Sequence, residues 1–192
     1  KILSGGEGAE LLPQSQYDCD WQSTQFTLPS RNNWWTKTLD NSYTAAGTSW
    51  DTFAWTEETY SGNLSVSFEM EAIFYEDGQA GGGCIIVFGN GKEWSQGALI
   101  FCVDGEYQRI QTDTVYDGTE FLDYSQISLD ENRMYTFTIE ILDDSASLYL
   151  DGEKIVSAML PSRINRNGKI GLYKYSEIPE VTFYKVRFMK ID

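Results

Sequence analysis

In the stretch Asn63 to Ile73, Leu64, Val66, Phe68 and Met70 alternate with Ser65, Ser67, Glu69 and Glu71. Successive side chains of an extended strand point to opposite sides, so this period-two pattern marks a strand with one buried and one polar face. The pattern returns at Tyr135, Phe137, Ile139 and Ile141, set between Thr136, Thr138 and Glu140. It returns again at Ala146, Leu148 and Leu150, with Ser147 and Tyr149 facing outward. No segment sustains a 3.6-residue apolar period over the roughly 10 residues a helix needs. The chain is therefore expected to be all-β.

Turn chemistry supports the same assignment. Asp143-Asp144-Ser145 separates two of these strands, and Asp151-Gly152 is the dipeptide favoured where a hairpin needs positive φ. The segment 154–156 is then predicted to return beside 148–150. Asn167-Gly168 introduces a strand over 169–175, and Pro179 precedes one over 181–191. In this last strand the apolar phase runs through Val181 and Phe183, then shifts to Val186 and Phe188, which predicts a bulge or a strand passing a sheet corner. The runs 81–88 and 98–103 are apolar on both faces, as central strands of a core are. Short strands joined by polar turns predict an antiparallel sandwich or barrel.

A chain of 192 residues fits one domain, 1–192, with a linker-like segment over 1–12 marked by Gly5, Gly6 and Gly8. Trp34, Trp35, Trp50, Trp55 and Tyr175 are expected to sit in the core or to cap sheet edges. The formal charge of −15 argues against nucleic acid and anionic lipid as partners, because both are bound mainly through clustered Lys and Arg. Its spread along the chain is the pattern of a solubilising surface. The longest apolar stretch, 98–103, is far too short to cross a bilayer. Lys1 is followed by neither a signal-peptide core nor a lipidation motif, so the chain reads as a module cut from a longer precursor.

Cys19, Cys84 and Cys102 lack the paired short spacing of a zinc or redox motif. If 85–88 and 98–103 pair with Phe88 opposite Ala98, Cys84 falls opposite Cys102. Directly opposed cysteines in a regular ladder rarely meet disulfide geometry, so two buried free thiols are expected, with a cross-strand disulfide as the alternative.

The second half of the chain carries Leu64-Ser-Val-Ser-Phe-Glu-Met-Glu-Ala72, Gly82-Gly-Cys-Ile-Ile-Val-Phe88, Leu148-Tyr-Leu-Asp-Gly-Glu-Lys-Ile155, Gly168-Lys-Ile-Gly-Leu-Tyr173 and Val181-Thr-Phe-Tyr-Lys-Val-Arg-Phe188. In this order they resemble the concanavalin-like, laminin-G-like jelly-roll superfamily, over residues 34–191. Within it the chain is most similar to the fructan-binding modules of carbohydrate-binding module family 66, which accompany family 32 glycoside hydrolases. Trp50-Asp-Thr-Phe-Ala-Trp55 is similar to the aspartate-containing strand of those modules. The resemblance implies an antiparallel two-sheet jelly-roll β-sandwich, a polysaccharide or oligosaccharide ligand, an attached catalytic domain, an extracellular or cell-surface location and a binding role for Asp51. Levan-binding relatives tend to carry an arginine after the Val-Phe pair, where this chain has Gly89-Asn90, which leaves the sugar open.

A neutral sugar is held by hydrogen bonds to its hydroxyls and by an aromatic ring against its C–H face. Glu69 and Glu71 lie two apart on one strand, so their carboxylates share a face at roughly 7 Å and are candidate ligands of neighbouring hydroxyls; the alternative is plain solvation. Trp94 lies in the loop 89–97 between two core strands and is the candidate ring. Tyr107 and Arg109 follow the turn Asp104-Gly105-Glu106 on one face of the next strand and complete the candidate set. The chain has no histidine, which removes Ser-His and Cys-His nucleophilic schemes. Carboxylate-dependent hydrolysis would fall to Glu69 and Glu71, whose separation suits a glycosidase pair. Glu-Met-Glu, however, lacks the third acid of the Glu-x-Asp-x-Glu pattern of jelly-roll glucanases. Asp113, Asp117 and Glu120 are a thin match to a calcium site, so any calcium is expected to be structural, and no cofactor is expected. The reading that follows is a non-catalytic carbohydrate-binding module that tethers a glycoside hydrolase to polysaccharide. A jelly-roll hydrolase and a laminin-G-like adhesion module are the alternatives.

Overall fold

A computed structural model of the chain describes residues 21–23, 25–29, 34–38, 40–47, 51–74, 78, 80–92, 96–114, 118–175 and 178–191. In chain order the strands are β1 (Gln22–Ser23), β2 (Phe26–Thr27), β3 (Trp35–Lys37), β4 (Tyr43–Ala46), β5 (Thr52–Thr56), β6 (Tyr60–Ser61), β7 (Leu64–Glu71), β8 (Ile73–Phe74) and β9 (Ala80–Gly81). They continue with β10 (Gly83–Gly89), β11 (Leu99–Val103), β12 (Tyr107–Thr114), β13 (Gly118–Gln126), β14 (Met134–Leu142), β15 (Ser145–Leu150), β16 (Glu153–Met159), β17 (Asn167–Lys174) and β18 (Glu180–Lys190). One large sheet has the order β16-β15-β14-β7-β18-β4-β3 with β1 also on β18, a second has the order β13-β12-β11-β10-β17-β5-β2 with β6 also on β17, and β8 and β9 pair as a separate two-stranded ribbon. We call the two large sheets the first and second sheets. No helix occurs among the described residues, and the two antiparallel sheets form the expected jelly-roll β-sandwich.

The inner faces meet in one apolar layer. The first sheet supplies Leu64, Val66, Phe68 and Met70 of β7, Tyr135, Phe137, Ile139 and Ile141 of β14, and Ala146 and Leu148 of β15. These are the residues that alternation directs inward. The second sheet answers with Ile85, Val87, Leu99, Phe101, Val103, Ile110, Ile170 and Leu172. Phe183 reaches across the layer, so that a β-carbon on Gly83 would lie 2.6 Å from its ring. Trp35 crosses too, donating its indole N–H to the Thr52 hydroxyl at 2.7 Å. Each fully buried large apolar side chain contributes about 1.5–3 kcal/mol, so this layer is what holds the sheets together.

The turns follow their chemistry. Leu148 pairs with Val156 and Leu150 with Glu153, and Asp151 and Gly152 between them take φ of 49° and 86°. The phase slip of the last strand is a bulge: the β18–β7 register shifts between Tyr184 and Arg187, and Lys185 has φ of 49°. Asn167 already belongs to β17 rather than to a turn before it.

One expectation is corrected. Cys84 pairs with Cys102 in the predicted register, yet the two form a disulfide rather than free thiols. Their Cα atoms are 4.1 Å apart, near the ~4.5 Å of a non-hydrogen-bonded antiparallel pair, in which opposed side chains come closest. Cys19, Trp50 and the linker-like segment 1–12 lie outside the described residues.

Candidate functional site

The central strands of the second sheet are apolar on both faces because apolar matter lies on both sides of them. On the outer face Cys84, Ile86, Ala98, Ile100, Cys102, Trp55 and Tyr173 form a second buried cluster, with Phe53 and Tyr175 packed against it. Trp55 is buried as expected, but in this outer-face cluster rather than between the sheets, and Tyr175 packs against the same cluster. Alternation explains their placement. Thr52 points into the inter-sheet layer, so Asp51, Phe53 and Trp55 point outward; Leu172 points inward, so Tyr173 and Tyr175 point outward.

These side chains form a continuous aromatic surface. The Trp55 ring lies directly on backbone, 2.6 Å from where a β-carbon on Gly171 would be and 2.4 Å from one on Gly89. Its indole N–H donates to the carbonyl of Lys92 at 2.5 Å. Phe53 stacks on Trp55 with centroids 6.1 Å apart and on Tyr173 at 4.8 Å, and Tyr173 meets Tyr175 edge-on at 5.0 Å.

Arg109 closes this surface on the far side of the disulfide, directly opposite Cys102 on β11. Its guanidinium donates to the Tyr175 hydroxyl at 2.7 Å and to the Gln111 side-chain carbonyl at 2.9 Å, and lies 3.6 Å from the Asp104 carboxylate. The Tyr175 hydroxyl donates in turn to the Cys84 sulfur at 2.9 Å, since a disulfide sulfur can only accept. Asp104 is itself held by its turn, accepting the backbone N–H of Glu106 and of Tyr107 at 2.8 and 2.5 Å. The guanidinium carbon sits 5.8 Å from the Tyr175 ring centre and 5.9 Å from that of Phe121. With 22% of its side chain exposed, Arg109 is a charged donor fixed in one orientation at the surface between two rings.

The candidates from sequence divide between the two sides of the sandwich. Tyr107 and Arg109 share the outer face of the second sheet with Asp51, which stands at β5, four strand spacings or roughly 19 Å from β12. Glu69 and Glu71 stand on the outer face of the first sheet, across the whole core, because β5 and β7 belong to different sheets. Glu69 is ion-paired with Lys185 at 3.0 Å. One site made of Asp51, Glu69 and Glu71 therefore does not form. Trp94 and Asp117 lie outside the described residues, and Glu120 is ion-paired with Arg163. Among the described residues no three His, Cys, Asp or Glu side chains gather to hold a metal ion. A cleft of about 560 Å³ beside the β3–β4 turn is lined by Gln25, Lys37, Thr38 and Asn41, none of which offers a ring.

Sequence reasoning missed Phe53, Tyr173, Gln111, Phe121 and Tyr124. Two signals were available. Phe53 and Trp55 alternate with Thr52 and Ala54, as Tyr173 and Tyr175 do with Leu172 and Lys174. Aromatic residues on the same phase of two strands mark a face, whichever side of the sheet it occupies.

By fold the chain is an antiparallel two-sheet jelly-roll sandwich. No protein-family model and no curated protein matches its sequence. Among solved structures it is similar to the carbohydrate-binding module CBM66 from Bacillus subtilis, with a TM-score of 0.61 and 15% identity over 89% of this chain and 96% of that one. It is also similar to the carbohydrate recognition domain of Emp47p (TM-score 0.55, 11% identity, 90% and 89% covered). A third is the alginate lyase AlgAT5 of polysaccharide lyase family 7 (TM-score 0.55, 11% identity, 90% and 95% covered). At these identities the likeness is one of fold, and this fold serves both binding and catalysis.

Proposed function

We propose that the chain is a non-catalytic carbohydrate-binding module whose ligand lies on the outer face of the second sheet, with Arg109 at the centre of the site. The observation that carries this reading is Arg109 itself. A guanidinium oriented by Tyr175, Gln111 and Asp104 and flanked by rings pairs a hydroxyl-binding donor with apolar faces for sugar C–H groups. The similarity to CBM66 and to a carbohydrate recognition domain supports the same class of ligand. The Asp104 carboxylate is engaged by two backbone N–H groups and lies beside Arg109, so it is poorly placed for proton transfer to substrate. A Cys84–Cys102 disulfide fits an oxidising, extracellular setting. There a module of this kind holds an attached glycoside hydrolase near polysaccharide by raising its effective concentration.

Calorimetry with fructans and β-glucans tests the proposal. Arg109→Ala is expected to weaken binding at least about tenfold, Tyr175→Phe to weaken it less, and Glu69→Ala to leave it unchanged. The isolated chain should release no reducing sugar from the polysaccharide it binds. Unchanged affinity in Arg109→Ala, or turnover by the chain alone, overturns the reading.

A further inference from the structure

The β12–β13 hairpin carries three exposed rings on the outer face: Tyr107 at 38%, Phe121 at 61% and Tyr124 at 64% exposure. Each stands directly opposite a long polar side chain, of which Gln126 is exposed, Arg109 partly exposed and Gln111 buried. Tyr107 faces Gln126, Tyr124 faces Arg109, and Phe121 faces Gln111. The pairs succeed one another every two residues along β12, at roughly 7 Å per step from the strand rise.

This arrangement depends on an irregularity of the backbone. Phe121 and Tyr124 are three residues apart, and in a regular strand they would point to opposite faces. The β12–β13 register shifts between Ile110 and Gln111, leaving Leu122 as the extra residue. Leu122 packs against the inter-sheet core, and Asp123 stands opposite the inward-facing Ile110. Both neighbouring rings are thereby turned outward. Burying one of the rings instead would have removed apolar surface from water, so exposing both runs against the ordinary preference of a sheet.

We infer that this hairpin is a track for the interior of a neutral glycan chain, with one sugar ring lying against each of the three exposed aromatic rings. The inference rests on the reading of the outer face as a sugar site and extends that site from Arg109 along the hairpin. A stacking ring repeated along a line suits a chain of like units; it does not suit a single terminal sugar, which needs only one such ring. Neutrality follows from charge. Asp104 offsets Arg109 locally, and the chain as a whole is at −15, so the face offers an acidic sugar no net positive field. An apolar protein partner would cover the exposed Gln126 amide and the exposed part of the Arg109 guanidinium without offering them hydrogen bonds, whereas glycan hydroxyls can bond to both.

The test is a calorimetric series, from monosaccharide to hexasaccharide, of inulin-type fructo-oligosaccharides and of β-1,3-glucan oligosaccharides, on the wild type, Phe121→Ala, Tyr124→Ala and Arg109→Ala. Both ring variants alter exposed positions, and circular dichroism checks that they fold. Affinity of the wild type should rise about tenfold or more from mono- to trisaccharide, and a β-1,3-glucan hexasaccharide whose reducing end has been converted to the alditol, which keeps five closed rings, should bind as tightly as the unreduced one. Phe121→Ala and Tyr124→Ala should remove most of that gain, so that the affinity of each variant rises little from mono- to trisaccharide, and Arg109→Ala should weaken every length. A monosaccharide that binds as tightly as the trisaccharide, or ring variants that keep the full length dependence, overturn the track but leave the sugar site standing. Absence of binding at every length of both series overturns the sugar reading itself, and the track with it.

Discussion

The β-carbon that Gly89 lacks would lie 2.4 Å from the ring of Trp55, far inside van der Waals contact. The position after Phe88 can therefore carry no side chain while Trp55 keeps its seat, so the arginine that the resemblance to levan-binding modules suggests there has no room. The positive charge of the face comes instead from Arg109, on a different strand. Gly89→Ala must push the indole off Gly171 as well and break its hydrogen bond to Lys92. We expect a loss of about 1–3 kcal/mol, as for overpacking in a dense site, which lowers the melting temperature by several degrees in a chain of this size. Melting followed by tryptophan fluorescence checks this; an unaltered midpoint would show that Trp55 does not rest where the structure places it.

At the scale of elements, the disulfide joins the two central strands β10 and β11 beneath the aromatic surface. It closes a loop with a sequence separation of 18, for which chain-entropy reasoning gives about 3 kcal/mol of stabilisation. The double variant Cys84→Ala/Cys102→Ala should lose about that much in urea unfolding, and a reductant that unfolds the wild type earlier should leave the variant unmoved. Equal midpoints for the two proteins would mean that the strands are held without the bond. The register of this pair was legible in the sequence, because both runs are apolar and one pairing aligns them. The bond itself was not legible, since alternation fixes which residues are opposed but not whether they form the close or the wide kind of pair. Strand identities and inward residues such as Phe68 and Phe137 were readable for the same reason, whereas sheet membership was not. Nothing local to β5 or β7 says that they fall in different sheets, so Asp51 and Glu69 looked like neighbours. The Leu122 bulge hid Phe121 and Tyr124 likewise, because a three-residue spacing reads as two faces until the extra residue is seen.

For the whole molecule, 29 acidic side chains against 14 basic ones leave a net charge of −15 with no histidine to buffer it near neutrality. The field this produces acts on every approaching ligand, whatever its contacts with Arg109, and it decides between polysaccharides of similar shape. An anionic chain such as an alginate oligosaccharide must approach against like charge, while a neutral glucan or fructan meets no such barrier. The repulsion is long-ranged and therefore screened by salt, over about 10 Å at 0.1 M ionic strength. A direct ion pair between Arg109 and a uronate would behave in the opposite way, since salt weakens attraction as well. Two slopes of affinity against ionic strength separate these cases. For a neutral oligosaccharide the affinity should be flat; for the alginate oligosaccharide it should be weaker at low salt and should rise as salt is added. If the acidic chain instead bound tightly at low salt and was released by added salt, Arg109 would be acting as an anion receptor, and the preference for neutral glycans would have to be abandoned.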